Sequence, residues 1–235
     1  MALPKIAIKR FSMTLPMSGK KIDYRPYTVA EENVILQAKE GKDPAEMGVA
    51  IANILKVCTS DAIDPDIESY IDCVYAFIMI RAKSINEVAN LTIACGHEGC
   101  EKECNVSIDL TEAFKTSEIE KTDDKITVTQ DDGDIIITLR PMSFNTFIQS
   151  DTDASTSDID ILRKSFVSIV QNDEQFELEG ISDDEWLEFY SNLPKPVFAQ
   201  ITKYFSKSPN AYLEVTTKCE DGHEKIHKVS GLSNF

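Results

Sequence analysis

Apolar and polar positions alternate within Lys5–Leu15 and again within Lys21–Tyr27, with Pro16-Met17-Ser18-Gly19 between them, which predicts a β-hairpin. Arg25-Pro26 ends the second strand, because the residue before a proline is pushed out of the helical region. From Thr28 the period lengthens to that of a helix. Thr28 and Glu31 have the spacing of a capping box, Val34, Ile35 and Ala38 form an inner face, and Gly41 is the stop. Asp43-Pro44 opens a second helix with proline at its first position, and Met47, Ala50, Ile51, Ile54 and Leu55 share one face. Asp64-Pro65 repeats that start signal for a third helix reaching about Lys83. From Tyr70 to Ile80 this helix is apolar nearly all round, which predicts a buried element at the centre of the N-terminal core.

Farther along, Val88–Ala94 and Asn105–Leu110 read as short strands, and Thr116–Asp124 reads as polar loop. Lys125–Gln130 and Asp134–Arg140 predict a second hairpin across Asp132-Gly133, a type I′ turn pair. A short helix is expected near 143–149, and residues 150–158 read as a linker. A helix from about Asp158 to Gln171 would turn Ile161, Leu162, Phe166, Ile169 and Val170 inward. Ser182 and Glu185 form another capping box, opening a helix through Trp186, Leu187 and Tyr190. Pro194 and Pro196 start the next, with Val197, Ile201, Tyr204 and Phe205 on one face. Ala211–Thr217 and Lys225–Val229 are the last strands.

The chemistry concentrates at the ends of strands. All three His and four of the six Cys fall within Cys95–Cys104 and Cys219–His227. The two windows read as one pattern written twice. Gly99-Cys100-Glu101-Lys102 matches Gly222-His223-Glu224-Lys225, Cys104 matches His227, Val106-Ser107 matches Val229-Ser230, and Leu110 matches Leu232. Cys95 matches Cys219 with a one-residue difference in the loop. Cys exchanged for His at a matched position conserves the ability to bind a soft or borderline metal. The expectation is a zinc-ribbon-like pair of knuckles holding one structural Zn²⁺ through Cys95, Cys100, Cys219 and His223. Cys104 and His227 belong to the outgoing strands and His97 to the first loop, and any of the three is an alternative ligand. Redox or catalytic thiols, or a degenerate site that stands without metal, are the competing readings. A catalytic zinc would need a nearby carboxylate, for which Glu98, Glu101 and Glu224 are available. Cys58 and Cys73 sit on apolar helical patterns and read as buried core thiols.

Composition narrows the partners. Forty acidic against 24 basic side chains leave a net charge of −16, which opposes binding a polyphosphate backbone and favours basic protein partners. The longest apolar run, Cys73 to Ile80, is far short of a membrane span, and residues 1–15 hold no apolar core of signal-peptide length. The expected compartment is therefore a reducing cytoplasm, where clustered Cys and His favour metal over disulfides. There is no GxGxxG or Walker A pattern. A calcium loop beginning at Asp151 fails, with Thr156 where Gly is required and Leu162 where the closing Glu belongs. Residues 171–190 carry eight acidic and no basic side chains, a solvated face or a docking surface for a basic partner.

The predicted class is α+β: a helical core with short antiparallel hairpins and two knuckles joining the halves of the chain. The expected division is 1–87 (hairpin plus three helices), 88–140 (first knuckle and second hairpin), 141–210 (C-terminal helices) and 211–235 (second knuckle, packing with the first).

Five stretches occur in a telling order: LPMSGKKIDYRPYTVAEE (15–32), RAKSINEVANLTIAC (81–95), NVSIDL (105–110), LRPMSF (139–144) and KCEDGHEKIHKVSGLSNF (218–235). In these the chain resembles the baseplate hub proteins of T-even-like contractile-tailed phages. The resemblance implies an N-terminal strand pair running into an Arg-Pro-Tyr-Thr element, paired Cys/His knuckles and a Gly-Leu-x-x-Phe tail, here Gly231 to Phe235. It departs from the family pattern in the wide first knuckle and in His223, where a Cys is common. It implies a non-enzymatic hub subunit or hub assembly protein. Such a protein would act in the host cytoplasm during assembly or in the virion tail baseplate. Its partners would be other hub or tail assembly proteins, with neither nucleic acid nor membrane among them. The alternative reading is a zinc-ribbon nucleic-acid-binding or regulatory protein, which the charge of −16 opposes.

Overall fold

A computed structural model of the chain describes residues 6–118, 123–153 and 155–230. Strands β1 (Phe11–Thr14) and β2 (Lys21–Tyr24) lead into helices α1 (Val29–Gly41), α2 (Pro44–Thr59) and α3 (Tyr70–Ser84). Then come β3 (Val88–Ala94), β4 (Glu103–Asp109), the single turn α4 (Leu110–Ala113) and β5 (Phe114–Thr116). The middle of the chain forms β6 (Lys125–Val128), β7 (Ile135–Leu139), α5 (Phe144–Thr152), α6 (Asp158–Ser165), β8 (Phe166–Gln171), β9 (Glu174–Phe176), α7 (Asp183–Ser191) and α8 (Lys195–Ser206). It closes with β10 (Ala211–Lys218) and β11 (Glu224–Val229). The class is α+β.

The chain forms two compact units, the first from Met1–Ser117 with Asn210–Phe235, the second from Glu118–Pro209. The second is thus an insertion between β5 and β10, which pair antiparallel in the first unit. Its entry and exit lie side by side. The Ser117 N–H donates to the Asn210 carbonyl (2.9 Å), and the Asn210 N–H donates to Ser117 Oγ (2.8 Å). Insertions are accommodated where the two chain ends already lie together.

In the first unit two of the three helix-start signals act as read. Asp43 accepts from the Ala45 N–H with Pro44 at the first helical position, and the Thr28 N–H donates to Glu31 (2.6 Å). Glu31 also takes a two-pronged contact from Arg25, at 2.6 and 2.9 Å. Helix α3 buries Ile71, Cys73, Val74, Ala76, Phe77, Ile78 and Ile80, as expected of a helix without a polar face. It begins later than Asp64-Pro65. Those residues form a turn, and Ser69 caps the helix by accepting from the Asp72 N–H. The Asp72 side chain, 1% exposed, accepts from the N–H groups of Met17 (2.7 Å) and Ser18 (3.0 Å). A buried carboxylate with two donors holds the β1–β2 turn against this start point, a long-range constraint invisible to local spacing. The first strand is also shorter than its alternation suggested, starting at Phe11.

The Arg25–Glu31 pair makes a prediction in pH. The Arg25 contact, reinforced by the Thr28 N–H and hydroxyl, outweighs burial and holds Glu31 at about 2 rather than the ordinary 4.5. A depressed carboxylate contributes stability above its unfolded value and loses it as pH falls through its folded value. Glu31→Gln is expected to flatten the decline of the thermal midpoint between about pH 4.5 and 2. An acid limb unchanged in Glu31→Gln would remove Glu31 as its source.

In the second unit β6, β7, β8 and β9 form an antiparallel sheet in that order. Ile126, Val128, Ile137, Leu139, Phe166 and Ile169 of the sheet pack on Trp186 of α7 and on Val197, Ile201 and Tyr204 of α8. The predicted helix over 158–171 is half wrong. It stops at Ser165, and Phe166–Gln171 is a strand. The Arg140 side chain and N–H take the Lys164 and Ser165 carbonyls, while β7 pairs with Ile169 and Val170. Asn172 and Asp173 both have positive φ (51° and 63°), as a type I′ turn into β9 requires. The Asn-Asp pair was the available signal. The second hairpin forms, but across a longer loop than an Asp132-Gly133 turn, since the ladder ends at Val128 and Ile135. Residues 150–158 lie inside this unit, α5 running on to Thr152.

Candidate metal centre

Both knuckles are the loops of antiparallel hairpins. In the first, Ala94 pairs with Glu103, so the loop is 95–102; in the second, Lys218 pairs with Glu224, so it is 219–223. Each candidate ligand therefore lies in a loop, where the backbone can turn to aim a side chain. The repeat seen in the sequence is a repeat in conformation. Gly99 (φ 79°) and Gly222 (φ 84°) stand immediately before Cys100 and His223. Left-handed backbone at that point folds each loop back, and only glycine adopts it without strain. The Cys95 N–H donates to the Lys102 carbonyl (2.8 Å) and the Cys219 N–H to the His223 carbonyl (3.0 Å), each closing its loop.

The fold brings Cys95, Cys100, Cys219 and His223 together, with their ligand atoms all within 4.8 Å of one another. His223 Nδ1 lies 3.4 Å from the Cys219 sulfur and 3.8 Å from the Cys95 sulfur. A tetrahedral ion with metal–sulfur bonds of about 2.3 Å has ligand edges of about 3.8 Å, so these separations match one four-coordinate site. Cys95 and Cys219 are buried and Cys100 is half-buried. Three sulfurs and an imidazole nitrogen suit a borderline-soft cation, whereas calcium and magnesium require oxygens. The residues present fit a closed, four-coordinate metal.

The thiols influence one another. At Cys95 the His97 N–H pulls the thiol down, but burial and the neighbouring Cys219 and Cys100 outweigh it and push it up to about 11. At Cys219 burial is overcome by the His223 and Asp221 N–H groups and by the other two thiols, which bring it down to about 7. The cluster stabilises one thiolate at the expense of its neighbour's ionisation.

The three remaining candidates lie around this tetrad. Cys104 is in β4, buried and packed against Cys95 and Cys219. His227 is in β11, its Nε2 2.9 Å from Thr217 Oγ1. His97 is exposed, its ring stacked on that of His223 (4.3 Å between centroids, 7° between planes). Cys58 and Cys73 are buried in α2 and α3. Lys102 and Lys225, matched positions of the repeat, join the two knuckles. Lys102 reaches Asp221 (2.7 Å) and Glu220 (3.5 Å), and the Lys225 ammonium donates to the Gly96 carbonyl (2.7 Å).

Comparison with known proteins returned no match among curated proteins or solved structures. A family model described as T4 bacteriophage base plate protein matches residues 8–235. That match takes in both hairpin knuckles and both compact units, and the chain belongs to the T4 bacteriophage base plate protein family.

Proposed function

We propose that this protein is a structural or assembly component of the central hub of a contractile tail baseplate, working through protein–protein contacts rather than catalysis. The family match over residues 8–235 carries the reading. Hub placement is supported by the stretches resembling hub proteins. In the host cytoplasm the chain joins hub or tail assembly partners, and the virion tail is its destination.

The Cys3His tetrad holds zinc in a structural role. Support comes from the donor set and from closure by four protein ligands, which leaves no open position for a reacting water. Glu98 is exposed, and neither it nor Glu101 or Glu224 is needed to complete the set. Charge supports protein partners over nucleic acid. The second unit holds 19 acidic and 8 basic side chains, the larger part of the net −16. Among the described residues no helix is long and apolar enough to cross a membrane.

The test is genetic and structural. Infection with phage lacking this chain is expected to yield lysates without complete baseplates by electron microscopy, restored by the chain supplied in trans. Mass spectrometry of purified tails and assembly intermediates is expected to find it with hub proteins. Complete baseplates formed in its absence would overturn the reading.

A further inference from the structure

We infer that Lys102 and Lys225 form a reciprocal clasp that holds the two knuckles together and assembles the Cys3His tetrad before metal arrives. Only the consequence for metal affinity rests on the zinc reading.

The inference starts from the repeat. Each lysine stands two residues after the second candidate ligand of its own knuckle, Lys102 after Cys100 and Lys225 after His223. Lys102 ends the first loop and Lys225 lies in β11 just after the second, and each binds the opposite loop. Lys102 spans to Asp221 and Glu220, which lie between Cys219 and His223. Lys225 spans to the carbonyl of Gly96, which lies between Cys95 and Cys100. The exchange is two-way, carboxylates receiving Lys102 and a backbone carbonyl receiving Lys225. A second feature fits around it. Gly96 has φ +67°, and a Cβ there would come within 2.9 Å of the Lys225 ammonium and 3.6 Å of His227 Cε1. The first loop leaves that space to the lysine of β11.

The clasp meets an electrostatic need. Zinc with three thiolates and one neutral imidazole carries a net charge of about −1, inside a protein already at −16. The Lys225 ammonium, held on a neutral carbonyl, offsets that charge, whereas Lys102 is matched by Asp221 and Glu220 and acts as a link between the knuckles. Without metal the knuckles also meet through the His97–His223 stack and the packing of Cys95, Cys104 and Cys219, and the lysine contacts add directed polar links to these in any metal state. The contacts are half-exposed: the Lys102 and Asp221 side chains are 43% and 49% accessible. Exposed pairs of this kind contribute modestly, so the effect is a tuning of assembly and affinity rather than of the fold.

The experiment uses the full chain as wild type, Lys102→Met/Lys225→Met and Lys102→Arg/Lys225→Arg. A short bifunctional thiol reagent is applied to chelator-treated protein, and peptide mass spectrometry scores links joining Cys219 to Cys95, Cys100 or Cys104. Wild type is expected to cross-link without metal. The double Met variant is expected to do so about three- to tenfold more slowly, the size of one half-exposed ion pair and one charge-assisted hydrogen bond. The Arg variant, which keeps the charge and the donors, is expected to remain close to wild type. Zinc affinity, measured by competition with a chromophoric chelator, is expected to fall in the Met variant by a similar factor. Metal-free wild type that does not cross-link, or a Met variant that cross-links at the wild-type rate, overturns the clasp. Zinc content of the same samples reports on the metal reading separately. Lysine-dependent cross-linking in protein that binds no zinc retains the clasp and removes the metal.

Discussion

Cys219→Ser is expected to reduce zinc from about one ion per chain to near zero and to lower the thermal midpoint by about 8–16 °C. The reasoning runs through binding. A ligand that binds only the folded state, present a thousandfold above its Kd, stabilises by about 4 kcal/mol. For a chain of this size each kcal/mol corresponds to about 2–4 °C. The 10–16 kcal/mol that zinc contributes in finger peptides is an upper bound here, because the first unit has its own apolar core in α2 and α3. Serine retains the size of the side chain but not the thiolate, so the loss reports on coordination. Chelator-treated wild type is expected to melt where the variant does. Cys104→Ser and His227→Gln are expected to keep their metal, since both residues lie in strands outside the tetrad. Cys219→Ser protein that retains zinc, or melts like wild type, would sink the staple.

Asp72→Ala is expected to destabilise by about 3 kcal/mol, lowering the midpoint by about 6–12 °C. The carboxylate is almost completely buried and takes the Met17 and Ser18 N–H groups. Alanine leaves both donors without their acceptor, and each unsatisfied group costs about 1–3 kcal/mol. Met17 and Ser18 take different carboxylate oxygens, so Asp72→Asn retains one acceptor but sets its NH2 against the other N–H, and is expected to lose about 1–3 kcal/mol. Burial, the largest influence, raises the Asp72 pKa despite the Met17 and Ser18 contacts that lower it. A raised folded value means that its contribution is fully present below the unfolded pKa and is lost as pH rises through the folded one. The gap between wild type and Asp72→Asn is therefore expected to narrow as pH rises through that range. Asp72→Ala protein that melts like wild type at neutral pH would show that the turn does not depend on this acceptor.

Much of the architecture is legible in the sequence because its signals are local. The capping sequences at Asp43 and Ser182 act within one turn, and they cap helices in the structure. The apolar run of α3 marks burial because no orientation of that helix keeps a polar face toward water. The internal repeat named Cys95, Cys100, Cys219 and His223, the four residues whose ligand atoms converge, because a repeated loop places equivalent side chains equivalently. The same repeat contains Lys102 and Lys225, but a lysine in a charged stretch is ordinarily a solvated side chain, and only its partner across the gap gives it a role.

What the sequence determined by itself is the set of short-range elements, their class and the pair of knuckles. Tertiary structure decided which of two permitted states an ambiguous segment takes and which distant elements meet. Phe166–Gln171 has a spacing compatible with either helix or strand, and β7 and β9 settle it by offering backbone partners on both sides. The start of α3 moved to Ser69, where Asp72 grips a turn more than fifty residues away. The insertion of the second unit between β5 and β10 is likewise decided by strand pairing across the inserted chain. Caps and periods act within a few residues, whereas strand pairing and buried polar contacts join groups whose separation along the chain carries no signal of their proximity.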